Sequence, residues 1–409
     1  MKKLFHTIIA FLPLAGASAL ALAAAVSCVH KDLSPAPVTV SASDTELTIV
    51  TLSPAASASA AVSSSPSSSL SMSGETTKGA GSLSTETLRT RGFSLFAWWT
   101  PEGDYFGGIT PGTLWLNGTD VSFVAAEGNG RDRWTCSPAA WWPLGAGLSF
   151  FAYAPAMDAS GGMLSFPENG TAGMPAGQFT QESDVASQED FLIAPPVLDR
   201  RKDQGAVPMT FNHALTKVLF YFNAVGDIYE GDTHVFKVKS LTLRNLVGSN
   251  RFVMGGTDGF RWDALPRDDV SSRTASYELS IAGGTLRDAA LQLASDRESE
   301  TGLGRYDCVN DHEAGQLYLL PQPMTLAAEA EVVFAAYLYD DVTREWVEDP
   351  EFDYEPVVIS LPEQTVWEPG KTVCYSASVD ISHLIDIQFT VTVMPWEVEE
   401  SAAVSFPER

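Results

Sequence analysis

The chain has 409 residues, 45% of them hydrophobic, with 25 Lys and Arg against 51 Asp and Glu, a formal net charge of −26. So acidic a surface repels nucleic-acid phosphates and anionic lipid heads, which argues against a direct nucleic-acid role. The four cysteines form no CxxC pair and do not cluster with the six histidines, so there is no zinc pattern.

Lys2 and Lys3 precede an apolar run from Leu4 to Val26 that closes in Ala25-Val26-Ser27-Cys28. This order of charge, apolar stretch and small residues predicts a secretory signal over residues 1–27. The cysteine at its end predicts a lipoprotein, with Cys28 acylated and serving as the membrane anchor. Pro13, Gly16 and the lack of flanking stop-transfer charges argue against a transmembrane helix. A short strand is expected over Thr45–Leu52 (TELTIVTL). The Ser, Ala, Gly and Thr of Ser53 to Ser84 bury too little apolar area to offset their ordering entropy, so this stretch reads as linker.

The body, from about Arg91 to Arg409, is long enough for two domains and has β periodicity throughout. Thr113–Leu116 and Thr119–Val124, separated by Asn117-Gly118, predict a hairpin with a two-residue turn. Further strands are expected at Leu148–Tyr153, Lys217–Asn223, Phe236–Leu243, Val332–Tyr339 and Ile385–Val393. In the last, Ile385, Ile387, Phe389, Val391 and Val393 share one face. Arg287–Asp296 is the one short helix expected, and Gly226–Asp232 the expected boundary between domains. Many short strands with turn signals between them define an all-β class of sandwiches or barrels.

Catalytic patterns are missing: no G-x-S-x-G, H-E-x-x-H, G-x-x-x-x-G-K or G-x-G-x-x-G after a strand. His213 lacks an evident nucleophile and reads as a hydrogen-bonded structural histidine. Asp307–Glu313 gathers polar side chains without calcium-loop spacing and reads as an exposed polar loop. Glu397, Glu399 and Glu400 read as a solvated run. No enzyme activity, metal or cofactor is expected. Trp98, Trp99, Trp115, Trp134, Trp141 and Trp142 crowd the first half of the body. Core packing is the expected reading; an exposed row of these rings would instead stack on sugars and make the protein a surface glycan-binding lipoprotein. Cys136, Cys308 and Cys374 read as buried thiols, one disulfide among them being the alternative.

Several segments, in order, resemble the fimbrillin family of Bacteroidales surface lipoproteins, the subunits of type V pili. They are Phe93–Trp99, Trp134-Thr135-Cys136-Ser137-Pro138, Trp142-Pro143 with Leu148–Pro155, Asp190–Ala194 with Phe211–Val218, Leu319–Pro323, and the close at Pro395-Trp396. The resemblance implies two tandem transthyretin-like Greek-key sandwiches, over residues 92–228 and 229–409. It also implies lipoprotein transport to the outer membrane, then removal of an N-terminal segment by an arginine-specific, trypsin-like protease. The groove so opened takes a strand from the next subunit. On this pattern Thr45, Leu47, Ile49 and Leu52 belong to a removable placeholder strand. Residues 28–91 hold that strand and the linker, and Lys78, Arg89 and Arg91 are the candidate cleavage residues. Thr76-Thr77-Lys78-Gly79 departs from the family's Thr-Thr-Arg, which leaves cleavage itself open. The candidate donor strand is Ile385, Ile387, Phe389, Val391 and Val393, with Val404 and Phe406 in the tail as an alternative. The implied partners are other pilus subunits, in a homo- or hetero-polymer, and the outer membrane, to which Lys31-Asp32 after the anchor adds a partial export tag.

Overall fold

The computed structural model of the chain describes Ile49–Thr51 and most of residues 82–396. Its breaks are at 101–113, 127–131, 144–146, 157–159, 161, 169–173, 205, 226–233, 256–259, 268, 270, 280, 282–306, 326, 351–354 and 381–386. All described residues belong to one of two units, Ala42–Arg409. The signal, Cys28, the 53–81 linker, Lys78, the Arg287–Asp296 segment and the tail after Trp396 lie outside them.

The described residues form four sheets. The first runs, in spatial order, β10 (Val207–Met209), β1 (Ile49–Thr51), β4 (Arg133–Ser137), β3 (Leu114–Val124), β2 (Phe93–Thr100), β5 (Gly147–Ala154), β8 (Leu192–Ile193) and β11 (Asn212–His213), with β9 (Val197–Arg200) also on β5. The second is β17 (Asp307–Cys308), β12 (Thr216–Val225), β22 (Lys371–Asp380) and β23 (Thr390–Pro395), with β18 (Leu317–Leu319) beside β17 on β12. The third is β16 (Ala275–Leu279), β13 (His234–Leu246), β19 (Glu329–Asp340) and β20 (Glu345–Glu348), with β21 (Val357–Ser360) on β19. The fourth is β15 (Phe260–Trp262), β14 (Ser249–Met254), β7 (Ala176–Thr180) and β6 (Leu164–Glu168). The chain is all-β, as its periodicity predicts.

Alternation explains the second and third sheets. Val218, Phe220 and Phe222 of β12 and Val373, Tyr375 and Ala377 of β22 pack against Phe236 and Val238 of β13 and Val332, Phe334 and Ala336 of β19. Two sheets closing on one core from opposite sides are a sandwich. β12 and β22 pair in parallel over ten residues, Thr216↔Lys371 to Val225↔Asp380. The first sheet has both faces covered. Leu95, Ala97, Phe150 and Ala152 line a core that the sheet's own strands share with Leu83 and Leu88. Phe96, Trp98, Phe151 and Tyr153 face Phe179, Phe252 and Met254 of the fourth sheet. Every residue of β5 is therefore buried, which is why LSFFAY is continuously apolar.

Two expectations change. Asn117-Gly118 is not a hairpin turn but sits inside the single eleven-residue β3. Register against β2 shifts between Leu95↔Thr119 and Ala97↔Leu116, and Gly118 has φ of 60°. The positive φ that a turn would use here makes a β-bulge that bends the strand. The strand expected from Ile385 begins only at Thr390. Ile387 and Phe389 are buried as its alternation requires, yet Val391 is half-buried and Val393 is 49% exposed at the sheet edge.

The expected boundary at Gly226–Asp232 falls outside the described residues. Hydrogen bonding changes sheet earlier, between His213 in the first sheet and Thr216 in the second, and β14 and β15 return to pair with β7.

Thr85–Arg91 is a helix, α1, on the ground assigned to linker and cleavage site. Ser84 caps it: its hydroxyl accepts from the Thr87 N–H at 3.3 Å while the Ser84 N–H donates to the Thr87 hydroxyl at 2.6 Å. Gly92 ends it at φ 65° and ψ −171°, a region that L side chains rarely enter. A Cβ there would stand 2.7 Å from the Val121 carbonyl oxygen. Gly92→Ala is expected to destabilise the chain by about 1–3 kcal/mol, read by urea unfolding.

Candidate functional site

β1 lies between two strands that would otherwise not meet. Ile49, Val50 and Thr51 pair in parallel with Val207, Pro208 and Met209, and Ile49 pairs antiparallel with Trp134. Val207 and Met209 are fully buried, and Trp134 nearly so. Thr45, Leu47 and Leu52 lie outside the described residues; Ile49 is within β1. A short strand joined to the body through a long Ser/Ala segment holds two sheet edges together, and those edges would be open without it.

Two strands along, α1 is pinned to the body against β3. The Arg91 guanidinium forks onto Glu189, Nε to Oε1 at 2.7 Å and a terminal nitrogen to Oε2 at 2.6 Å. The Arg89 guanidinium lies 4.7 Å from the centre of the Phe123 ring. Leu83 and Leu88 are buried. The structure thus places two of the three candidate cleavage residues on one docked helix.

Leu83, just before the cap of α1, also reaches a buried carboxylate. Asp190 Oδ2 accepts the Leu83 N–H at 3.1 Å and lies 2.7 Å from His213 Nδ1, while Oδ1 accepts the Phe191 N–H at 2.8 Å. A carboxylate oxygen can only accept, so Nδ1 carries the proton. The face of the His213 ring stacks on Trp396 at 4.0 Å and 5°, and Trp396 on Tyr318 at 5.4 Å and 3°. His213 is therefore a structural histidine, held at its edge by a carboxylate and on its face by an indole. Asp190 and Trp396 were not singled out as partners by the sequence, although both stand in the segments that carry the family resemblance.

The candidate donor strand is engaged at home. β23 pairs antiparallel with β22 from Ser376↔Thr390 to Lys371↔Pro395, and Ile387 and Phe389 pack in the sandwich core; Ile385 lies outside the described residues. Of the tryptophans, Trp98, Trp134 and Trp142 are buried, Trp115 is half-buried with its Nε1 donating to the Trp141 carbonyl, and Trp141 is 40% exposed. They do not form an exposed row.

The Asp307–Glu313 segment is anchored rather than simply exposed. Asn310 is fully buried: its Oδ1 accepts the Phe220 N–H at 2.8 Å and its Nδ2 donates to the carbonyls of Val218 and Gly315. It thereby satisfies the edge of β12 between β17 and β18. Among the described residues no three His, Cys, Asp or Glu side chains are grouped to hold a metal.

Cys136, Cys308 and Cys374 are free thiols. Cys308 pairs across from Tyr221 and Cys374 from Leu219, on opposite sides of β12. Two strand spacings, about 9.5 Å, exceed the reach of a disulfide. Burial pushes the Cys308 thiol up to about 12 and that of Cys374 up to about 11. Because the thiolate is the nucleophile, both are expected to react with iodoacetamide at pH 8 only after unfolding, as counted by mass spectrometry.

The fimbrillin-like family profile matches residues 115–396, more than half of the chain, and the chain belongs to that family. Among solved structures it is similar to a fimbrial protein from Bacteroides vulgatus, with a TM-score of 0.55 and 16% identity over 78% of this chain and 99% of that one. At that identity the likeness bears on fold alone. The tip fimbrial protein Mfa3 from Porphyromonas gingivalis, solved with a C-terminal truncation, aligns over 75% of this chain and 95% of its own at 9% identity and a TM-score of 0.31. No curated protein matches the chain.

Proposed function

We propose that this chain is a structural or accessory subunit of a cell-surface fimbria that supports adhesion and joins its neighbours by β-strand exchange at the place of β1. Membership of the fimbrillin-like family supports the fimbrial reading. The single observation that favours exchange is β1 itself, three paired residues bridging β10 and β4 at the end of a long linker. Proteolysis in that linker removes β1 and leaves two edges, to be filled by a strand from another copy or another subunit; main-chain hydrogen bonds supply affinity, alternating side chains supply fit. Acylated Cys28 holds the protein at the outer membrane until then.

The donor is either Ile385–Val393 or the tail with Val404 and Phe406. The former must leave β22 and withdraw Ile387 and Phe389 from the core, each at a cost of about 1.5–3 kcal/mol.

The test is controlled cleavage of the purified protein by trypsin, followed by intact mass and denaturant-resistant ladders on gels. Loss of the β1 segment followed by laddering is the expected result. A cut chain that stays monomeric and keeps β1 bound would refute exchange.

A further inference from the structure

The outer face of the third sheet carries a cluster that neither its core nor β1 uses. On β19 the residues Val332, Phe334 and Ala336 face the core, so Tyr337 and Tyr339 lie on the solvent parity. Trp346 of β20 pairs directly with Tyr339, and Glu348 with Tyr337. The Tyr339 and Trp346 rings meet edge to face, 5.4 Å apart at 65°. Tyr339 is 44% exposed and Trp346 42%. Beside them the Lys239 ammonium is 2.6 Å from Glu348 Oε1, and the Lys237 ammonium sits 4.7 Å from the centre of the Tyr337 ring. Six side chains from three adjacent strands thus set two open aromatic rings next to paired donors and acceptors.

We infer that Tyr339 and Trp346 form a binding platform for an uncharged saccharide. The apolar C–H face of a pyranose is weakly positive and lies well against the negative face of an indole or phenol. Its hydroxyls both donate and accept, and they find a carboxylate in Glu348 and ammonium groups in Lys237 and Lys239. Charge selects against the alternatives. A chain at −26 repels anionic ligands, whereas a neutral sugar carries no such penalty. The Lys239–Glu348 pair cancels its own charge, which suits a hydroxyl-rich ligand. These are not the tryptophans that crowd the first half of the chain, of which Trp98, Trp134 and Trp142 are buried. The platform also lies in a different sheet from β1. It therefore does not depend on strand exchange, and either reading can fail without the other.

The experiment titrates the purified protein with a panel of neutral oligosaccharides: chitohexaose, cellohexaose, maltohexaose and desialylated mucin glycans. Calorimetry and tryptophan fluorescence give the affinities. At least one member is expected to bind, with affinity falling about tenfold in Trp346→Ala and in Tyr339→Ala, about 1.4 kcal/mol each. Glu348→Gln, which keeps the side chain's shape, is expected to weaken binding several-fold while leaving thermal unfolding unchanged, which separates ligand contact from hairpin stability. Binding by no member of the panel would overturn the proposal. So would binding that Trp346→Ala leaves intact, or a preference for sialylated or sulfated forms of the same glycans.

Discussion

Replacing Asp190 with alanine is expected to destabilise the protein by about 3–5 kcal/mol, a large share of the stability of an ordinary domain. The carboxylate has no exposed surface and gathers three donors: the N–H groups of Leu83 and Phe191 and Nδ1 of His213. Its loss leaves those donors in dry surroundings, and each buried donor without an acceptor costs about 1–3 kcal/mol. Asp190→Asn separates charge from shape. Its amide group can serve a His213 tautomer with a bare Nδ1, but the same NH2 then faces the Leu83 N–H and leaves it unmet. The asparagine variant is therefore expected to lose about 1–3 kcal/mol, less than alanine. Urea unfolding followed through Trp396, which stacks on His213, reads both variants. A shift below about 1 kcal/mol for Asp190→Ala would show that the carboxylate is not the hub its contacts describe.

The second large effect concerns proteolysis. Native chain is expected to resist trypsin at Arg89 and Arg91, although both are basic and only partly buried. A protease binds its substrate extended, so α1 must first unwind and undock. Undocking exposes Leu83 and Leu88, breaks the Arg91–Glu189 fork and lifts Arg89 from Phe123. Glu189→Gln keeps the shape and removes the charge. The pair is partly solvated on the Arg91 side, so the discounted loss is about 1.4 kcal/mol, and cleavage at Arg91 should quicken about tenfold. Mass spectrometry of timed digests gives the rates. Cleavage of the wild type at Arg91 as fast as in urea would mean that α1 offers no protection. Protection would leave Lys78 as the candidate that needs no unwinding of α1.

The strands were legible where one face is buried. Lys217–Asn223, Phe236–Leu243 and Val332–Tyr339 all fall inside observed strands, because alternation against a single core is a two-residue signal. Asn117-Gly118 misled because positive φ serves a bulge as well as a turn, and only the partner strands decide between them. α1 went unread because seven residues of Thr, Glu, Leu and Arg after a Ser-rich run show no periodicity. Its evidence is tertiary, in Glu189, Phe123 and Asp190, about 35 to 107 residues away along the chain. Buried polar hubs were hidden for a related reason. Composition counts Asp190 and Asn310 as surface residues, whereas each is buried because it supplies the hydrogen bonds that a strand edge or a loop lacks. Trp396 stood at the end of a resembling motif, but its place between His213 and Tyr318 required the fold.

The stack of His213 on Trp396 has a mechanical meaning. The chain enters the second sheet just after His213 and leaves the last described strand at Trp396, and these two points are in ring contact. Thr216, Lys371 and Pro395 lie side by side at that same end of the sheet. Tension pulling the body apart by its two ends would first meet the anchorage of Trp396, whose ring stacks on His213 and Tyr318 and whose N–H donates to the Gly370 carbonyl. Once the rings part, the load falls on the Lys371↔Pro395 end of the β22–β23 pair and peels it one rung at a time, the weak direction for a ladder. The long parallel β12–β22 pair would stay unloaded until that peeling was complete. The two stacked rings thus act as a bolt at the place where the sandwich would begin to unzip.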